Sequence, residues 1–139
     1  MKVFTKDLRL KTETGRQVIE VTDQLADAVV ESGVKEGILF GSAKHTTALL
    51  TTGVKREEPV IARLFDSIDF LDKTRLNYLE TQGFDPKIVR SHTLGMVLGS
   101  GLQIPIRKGR LELGEWQAAY LLEMLGPAER EVLITIIGE

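Results

Sequence analysis

The chain has 139 residues, a length typical of one domain, so we predict a single domain over residues 1–139. Apolar residues make up 42% of the sequence, which is enough to fill a core and argues against a disordered or fibrous protein. Cysteine is absent, which excludes disulfides, thiol nucleophiles and cysteine-ligated zinc. The net charge of −2, from 18 basic and 20 acidic residues, excludes the overall basic charge typical of nucleic-acid-binding proteins.

The beginning of the chain does not resemble a signal peptide. Lys2, Lys6 and Asp7 place charges where a signal peptide needs an apolar stretch, and the sequence contains no apolar run long enough to span a bilayer. We therefore expect a soluble, cytoplasmic protein that binds neither membranes nor nucleic acid.

The first third of the chain changes from strand to helix periodicity. Residues 3–10 and 17–21 form alternating or β-branched runs separated by a short glycine-containing turn, which predicts an N-terminal hairpin. Apolar residues at i, i+4 spacing then predict a helix over 22–31, capped by Thr22 or Asp23.

The middle of the chain predicts two strands and a second helix. The apolar run 38–40 and the β-branched run 46–52 are typical of strands, with His45 between them. A proline followed by apolar residues at helical spacing predicts a helix from Pro59 to Leu71. We expect residues 73–90 to be rich in loops.

The last third returns to strand periodicity. Strands are predicted over 93–98, 102–106 and 132–137, the last as a central strand because its apolar run is unbroken. Pro105 cannot donate a ladder hydrogen bond, so its strand should lie at an edge or carry a bulge. Segment 118–124 fits a helix by propensity and a buried strand by its apolar continuity, and periodicity does not decide between them.

The only two histidines, His45 and His92, each precede a predicted strand, and strand ends commonly carry functional sites. One interpretation is a pair of imidazoles that bind a metal or transfer protons, since histidine titrates near neutrality. The other is a pair of structural histidines, because two ligands do not make a zinc or iron site. A serine hydrolase is disfavoured, because no G-x-S-x-G motif surrounds Ser42, Ser91 or Ser100.

Three other polar segments each allow a functional and a structural interpretation. The cations of Arg107–Arg110, at a predicted tight turn, could bind phosphate or form a solvated hairpin tip. Glu57–Glu58 could bind Mg²⁺ or begin a helix, where acidic side chains complement the helix dipole. Trp116–Gln117 could hold a heteroaromatic ligand, or the tryptophan could belong to the core.

A set of short motifs, taken in order, resembles the YjbQ family over essentially the whole chain. The motifs are His45-Thr46-Thr47-Ala48, Ser91-His92-Thr93-Leu94, Leu98-Gly99-Ser100, Ile104-Pro105-Ile106, Gly109-Arg110-Leu111 and Leu113-Gly114-Glu115-Trp116-Gln117, with Glu123 and Gly126-Pro127 beyond them. The resemblance implies a compact α+β fold with mixed, largely antiparallel sheets and about three helices. It also implies a homotrimer.

The family is described as a secondary thiamine-phosphate synthase, although many members have no known function. The implied reaction joins a pyrimidine methyl diphosphate to a thiazole phosphate and expels pyrophosphate, whose departure needs Mg²⁺ or cationic side chains. Carried over by position, His45 and His92 would be catalytic, and the ligand would be contacted by Thr46, Thr47, Ser100, Arg110, Trp116 and Gln117. The candidate ligands of a divalent metal would be His45, His92 and Glu115.

The sequence departs from the family pattern at three places. Residues 53–55 replace a polar segment that usually follows the first motif, and a third histidine ahead of His92 is missing. Glu115 replaces a threonine and could compensate by giving a carboxylate to a metal. Three hypotheses remain: a transferase, a protein that binds a metal or a small phosphorylated molecule without efficient catalysis, and a purely structural oligomer.

Overall fold

The computed structural model describes residues 1–55, 60, 63–67 and 82–139. The predicted helix Pro59–Leu71 lies outside these residues except at 60 and 63–67, which are helical. The predictions for Glu57–Glu58 and for residues 73–81 also lie outside them.

The described residues form an α+β fold of two antiparallel sheets with helices packed against them, as predicted. The strands are β1 Lys2–Lys11, β2 Gln17–Glu20, β3 Gly37–Ala43, β4 Ala48–Val54, β5 Gly101–Arg107, β6 Arg110–Leu111, β7 Gln117–Glu123 and β8 Glu129–Gly138. The larger sheet has the order β1-β8-β3-β5-β6, and the smaller sheet has the order β2-β7-β4. The named helices are α1 Thr22–Ser32 and α2 Pro86–Leu98. In the described part of the chain, no helix has the length and apolar character needed to cross a membrane.

The main core lies between the two sheets and is closed by α1. Side chains alternate between the faces of a strand, so every second residue of β8 enters this core. Its fully buried members include Val132, Ile134 and Ile136 from β8, Ala119 and Leu121 from β7, and Leu25 and Val29 from α1. A second core covers the other face of the smaller sheet with Leu49, Tyr120 and Leu122, packed against Leu94 of α2. Because both faces of β7 are covered, residues 118–123 of the ambiguous segment form a strand whose side chains are buried on both faces, and Met124 lies just beyond it.

The predicted N-terminal hairpin is wrong. β1 pairs with β8 along its whole length, whereas β2 pairs with β7 in the other sheet. The turn between β1 and β2 therefore carries the chain from one sheet to the other. Thr12 is buried in this turn, and its backbone N–H donates to the Ala128 carbonyl at 2.9 Å.

Helix α1 begins where predicted, but neither proposed cap is used. The N-cap position is Val21, and no side chain caps the helix. The Thr22 hydroxyl instead accepts a hydrogen bond from the Ala119 N–H of β7 at 2.9 Å. A tertiary contact thus takes the oxygen that would have capped the helix. Gly33 ends the helix in the left-handed conformation, at φ 68°.

Residues 93–98 are the second half of α2 and not a strand, so this prediction is wrong. The start of the helix explains why: the Asp85 carboxylate accepts from the Lys87 N–H at 2.9 Å, and Pro86 occupies the first turn. The loop-rich prediction is wrong for residues 86–90 for the same reason. His92 consequently lies on a helix.

Of three predictions about the C-terminal strands, those for β8 and for the turn at Lys108 and Gly109 are confirmed, whereas the strand of Pro105 is not at the edge, because β5 lies between β3 and β6. β8 lies between β1 and β3 as a central strand. Pro105 lies in β5 beside the two-residue edge strand β6, and its carbonyl accepts from the Glu112 N–H at 2.8 Å. Since N–H and C=O of one residue point to the same side of a strand, its missing donor faces this edge. Lys108 and Gly109 form the tight turn with φ of 52° and 73°.

Helix α2 is held closely against the loop between β3 and β4. A Cβ atom at Gly95 would overlap the Thr46 carbonyl oxygen, so only glycine allows this approach. One turn earlier, the buried Ser91 hydroxyl lies 2.9 Å from the Met124 carbonyl and 2.7 Å from the Lys87 carbonyl. These contacts fix the helix against the loop that carries His45.

The Gly95 contact predicts that Gly95→Ala destabilises the protein by about 1–3 kcal/mol, because the added methyl overpacks the contact. This outcome opposes helix propensity, which favours alanine over glycine by about 1 kcal/mol. Urea denaturation measures the change. The control is Thr93→Ala at an exposed position of the same helix, which should leave stability nearly unchanged. A Gly95→Ala variant more stable than the wild type would contradict the prediction.

Candidate functional site

An open depression of about 490 Å³ lies where β3 ends and β8 begins. It is lined by Ala43, Lys44, His45, Thr46, Thr47, Ser100 and Arg130. The Ser100 carbonyl accepts from the Ala43 N–H at 3.1 Å and from the Leu50 N–H at 3.3 Å, so it joins the two strands that flank the loop. Backbone hydrogen bonds therefore hold the wall of the depression in place.

A buried ion pair forms the floor of the depression. Arg130 is 7% exposed and Glu123 is fully buried. The Arg130 Nε donates to Glu123 Oε2 at 2.6 Å, and its Nη2 donates to the other carboxylate oxygen. The two parallel bonds give the bidentate geometry that makes arginine–carboxylate pairs strong.

Further hydrogen bonds are accepted by the two carboxylate oxygens of Glu123. The Thr12 hydroxyl donates to Oε2 at 2.8 Å and itself accepts from the Ala128 N–H at 2.9 Å. The Leu125 N–H donates to Oε1 at 3.0 Å. Burial by itself raises the pKa of Glu123, but the bonds from Arg130, Leu125 and Thr12 outweigh it and lower the pKa below its usual value. The group is therefore a carboxylate at neutral pH.

One nitrogen of the Arg130 guanidinium, Nη1, remains available to donate to a ligand in the depression. Its Nη2 also donates to Thr47 Oγ1 at 2.9 Å, so the Thr47 hydroxyl hydrogen is free to point elsewhere. In the described residues, no protein acceptor lies within hydrogen-bonding distance of Nη1. Since Arg130 lines the depression, a ligand there could accept from this group.

His45 is held by β8. The backbone N–H of Glu131 donates to His45 Nε2 at 2.8 Å, and the Lys44 N–H donates to the Glu131 carbonyl at 3.1 Å. Burial lowers the pKa of His45 first, and the nearby Arg130 charge lowers it further. His45 is therefore neutral at physiological pH.

Four of the residues predicted from the sequence meet at the depression: His45, Thr46, Thr47 and Ser100. Thr47 is buried and bonded to Arg130. These four come from the His-Thr-Thr motif and from the glycine-serine segment that precedes β5.

The other predicted site residues lie elsewhere. His92 is exposed on α2 and does not line the depression, and Glu115 is exposed in the turn before β7. Gln117 begins β7 six residues before Glu123, about 20 Å away along the strand, and Trp116 beside it is 66% exposed. Arg110 pairs with the far end of β5 from Ser100, again about 20 Å away.

The described residues contain no group of three or more histidine and carboxylate side chains able to hold a metal ion. The three candidate metal ligands, His45, His92 and Glu115, therefore do not converge within the described chain. Mg²⁺ and other divalent metals stay predictions.

The comparisons identify the chain's relatives. The family model for UPF0047 protein YjbQ-like matches residues 6–139. The chain belongs to the YjbQ family. The YjbQ protein of Salmonella typhimurium is 32% identical over 126 residues, covering 86% of this chain and 87% of that protein. YugU of Bacillus subtilis is 26% identical over 136 residues, covering 96% and 98%.

Solved structures of YjbQ-like proteins share the fold. A YbjQ-like protein of unknown function from Sulfolobus solfataricus superposes with a TM-score of 0.88 at 28% identity, covering 99% of each chain. A YjbQ/UPF0047 protein from Clostridium acetobutylicum has a TM-score of 0.83 at 32% identity, covering 95% of this chain and 99% of that one. The two-sheet fold and its single domain are thus those of the YjbQ family.

Sequence reasoning missed Arg130 as a site residue and gave Glu123 no role. Both become recognisable once the core-facing side of each strand is known. Arg130 is in phase with the buried residues Val132 and Ile134 of β8, and Glu123 is in phase with Leu121 of β7. Opposite charges at core-facing positions of two strands indicate a buried ion pair.

Glu123→Gln should destabilise the protein by about 3–5 kcal/mol at pH 7, because it leaves the buried Arg130 charge without its partner. Guanidinium or urea denaturation measures this loss. The matched control is Glu31→Gln, which breaks the partly exposed Lys6–Glu31 pair and should cost about 0–1 kcal/mol.

A comparison of the wild type with Glu123→Gln also tests how the contribution of Glu123 to stability depends on pH. Since the folded pKa of Glu123 is lowered, its contribution is fully present above the unfolded pKa of about 4.3 and is lost as pH falls through the folded value. The stability difference between wild type and Glu123→Gln should therefore narrow as pH falls below about 4.3. A difference that stays constant down to acid unfolding would refute the assignment.

Proposed function

We propose that this protein binds a small phosphorylated molecule whose phosphate group occupies the depression at Arg130. The observation that carries the proposal is the Nη1 group of a nine-tenths-buried arginine that lines the depression without a protein acceptor among the described residues. Guanidinium groups bind phosphate oxygens with charge-assisted hydrogen bonds.

The remaining lining supports an anion and not a cation. The backbone N–H groups of His45, Thr46 and Thr47 have no acceptor among the described residues. Lys44 lies at the rim with its ammonium paired to Asp7 at 3.2 Å and to Glu131 at 3.7 Å, and none of the described residues that line the depression carries a carboxylate. Successive free backbone N–H groups beside a cation are a common arrangement for phosphate.

Thiamine-phosphate synthesis is the transferase form of this proposal. A departing diphosphate needs stabilisation of its charge, which the Arg130 guanidinium would supply. The family resemblance and the convergence of His45, Thr46, Thr47 and Ser100 with Arg130 support it. A cytoplasmic location, inferred from the cysteine-free composition, belongs to the same proposal.

We also propose that the protein is a homotrimer. Helix α2 exposes Met96 at 87% and Val97 at 71%, and Trp116 is exposed at 66%. Contiguous exposed apolar surface, such as that of the neighbouring Met96 and Val97, marks a protein–protein contact more often than a single exposed side chain does. Assembly could bring residues that lie far from the depression within one chain, such as Trp116, closer to the depression of another.

Binding of inorganic phosphate and pyrophosphate tests the proposed site. Both should raise the thermal stability of the wild type, by about 2.7 kcal/mol at one hundred times the dissociation constant. The double variant Glu123→Met with Arg130→Met should lose this effect while it stays folded, because a buried ion pair replaced by apolar residues is often tolerated. Arg110→Ala is the control and should bind as the wild type does.

Two results would contradict this site. Anion binding that survives in the double variant would show that the phosphate site lies elsewhere. Loss of anion binding in Arg110→Ala would show that the site lies at the β5–β6 hairpin. If the double variant does not fold, Arg130→Lys, which keeps the charge but removes the Nη1 donor, should still weaken binding.

Product formation tests the transferase form. The wild type supplied with Mg²⁺ and the two thiamine-phosphate precursors should form thiamine phosphate, and the double variant should form none. Absence of product from a folded wild type that binds phosphate would reject the transferase and leave the binding protein.

A further inference from the structure

The tautomer of His45 is fixed by its backbone partner. The Glu131 N–H donates to Nε2 at 2.8 Å, and a backbone N–H can only donate. Nε2 must therefore carry the lone pair, and in the neutral ring the hydrogen must sit on Nδ1. No described residue accepts from Nδ1, and the ring lines the depression.

The backbone ladder beside His45 places the ring next to Glu131. Ala43 pairs with Val132, and the Lys44 N–H then donates to the Glu131 carbonyl at 3.1 Å. The next donor along β8 is the Glu131 N–H that meets the ring. At the end of the β3–β8 pairing, His45 Nε2 thus accepts the hydrogen bond that a backbone carbonyl would otherwise accept.

This geometry argues against both roles that a site histidine usually takes. A metal on Nδ1 of a neutral ring would leave a hydrogen on Nε2, directed at the Glu131 N–H. Protonation of the ring would place a hydrogen at the same position. Both states require the bond to Glu131 to break.

We propose that His45 is a ligand-binding residue that acts as a permanent hydrogen-bond donor, and that with Arg130 it selects doubly charged tetrahedral oxyanions, such as a phosphate dianion or sulfate. This inference rests on the proposed phosphate site and narrows its ligand class. A site with a carboxylate acceptor prefers a protonated phosphate, whereas a lining that offers donors and no carboxylate does not distinguish sulfate from phosphate dianion.

The first test needs no ligand. Two-bond ¹⁵N–¹H spectra of the folded protein at pH 7 should show one histidine with a neutral ring protonated at Nδ1, and that signal should disappear in His45→Asn. An Nε2-protonated or imidazolium ring at His45 under these conditions would overturn the inference.

The second test compares two amide replacements. The asparagine side-chain nitrogen falls near the position of Nδ1 and can still donate, whereas the glutamine amide reaches the position of Nε2. His45→Asn should keep sulfate and phosphate affinity at pH 8 within about threefold, and His45→Gln should lose about tenfold or more, the effect of one hydrogen bond to a charged group. Equal loss in both variants would overturn the donor role.

Anion selectivity separates this inference from the proposed function. The wild type should bind sulfate and phosphate at pH 8 within about threefold of each other, as measured by calorimetry, and a strong preference for phosphate would overturn the selectivity. A wild type that binds neither anion rejects the proposed site itself. Phosphate binding combined with the other tautomer rejects only the role of His45.

Discussion

Arg130 and Glu123 carry opposite charges at a largely buried position, where such a pair is tolerated only when its hydrogen-bonding groups are satisfied. The carboxylate meets this requirement with groups from separate parts of the chain, the Thr12 hydroxyl and the Leu125 N–H among them. The end of β1, the turn after β7 and the start of β8 are therefore tied to one point. The same arrangement holds the guanidinium against the floor of the depression, so stability and the candidate site depend on one interaction.

The fold could be predicted from the sequence where the signal is local. The span of α1, the tight turn at Lys108 and the central strand β8 all follow from periodicity or turn chemistry within a few neighbouring residues. The partner of β1 could not be predicted, because alternation reveals a strand but not the strand opposite it. At 93–98, a brief apolar alternation was a weaker signal than the Asp85 cap and the proline that start α2.

The candidate site divides in the same way. The His-Thr-Thr loop and Ser100 could be predicted because short motifs keep their residues together. The cation could not be predicted: the cluster Arg107–Arg110 looked suitable for phosphate, but β5 carries it to the opposite end of the sheet from Ser100. Arg130 can be recognised as a buried residue only when the core-facing side of β8 is known. In the sequence its neighbours Glu129 and Glu131 are charged as well, but in the structure they are less buried than Arg130.

The position of Arg130 within β8 also constrains how that strand aligns. β8 is paired on both sides, with β1 and with β3, so a shift by one residue would have to occur in both ladders at once. Such a shift would turn the core-facing residues outward and bring Glu129 or Glu131 toward Glu123, placing two carboxylates together without a counter-charge. The ion pair therefore distinguishes the correct alignment of the central strand from its nearest competitors, which gives a charged pair in the interior a role in the uniqueness of the fold.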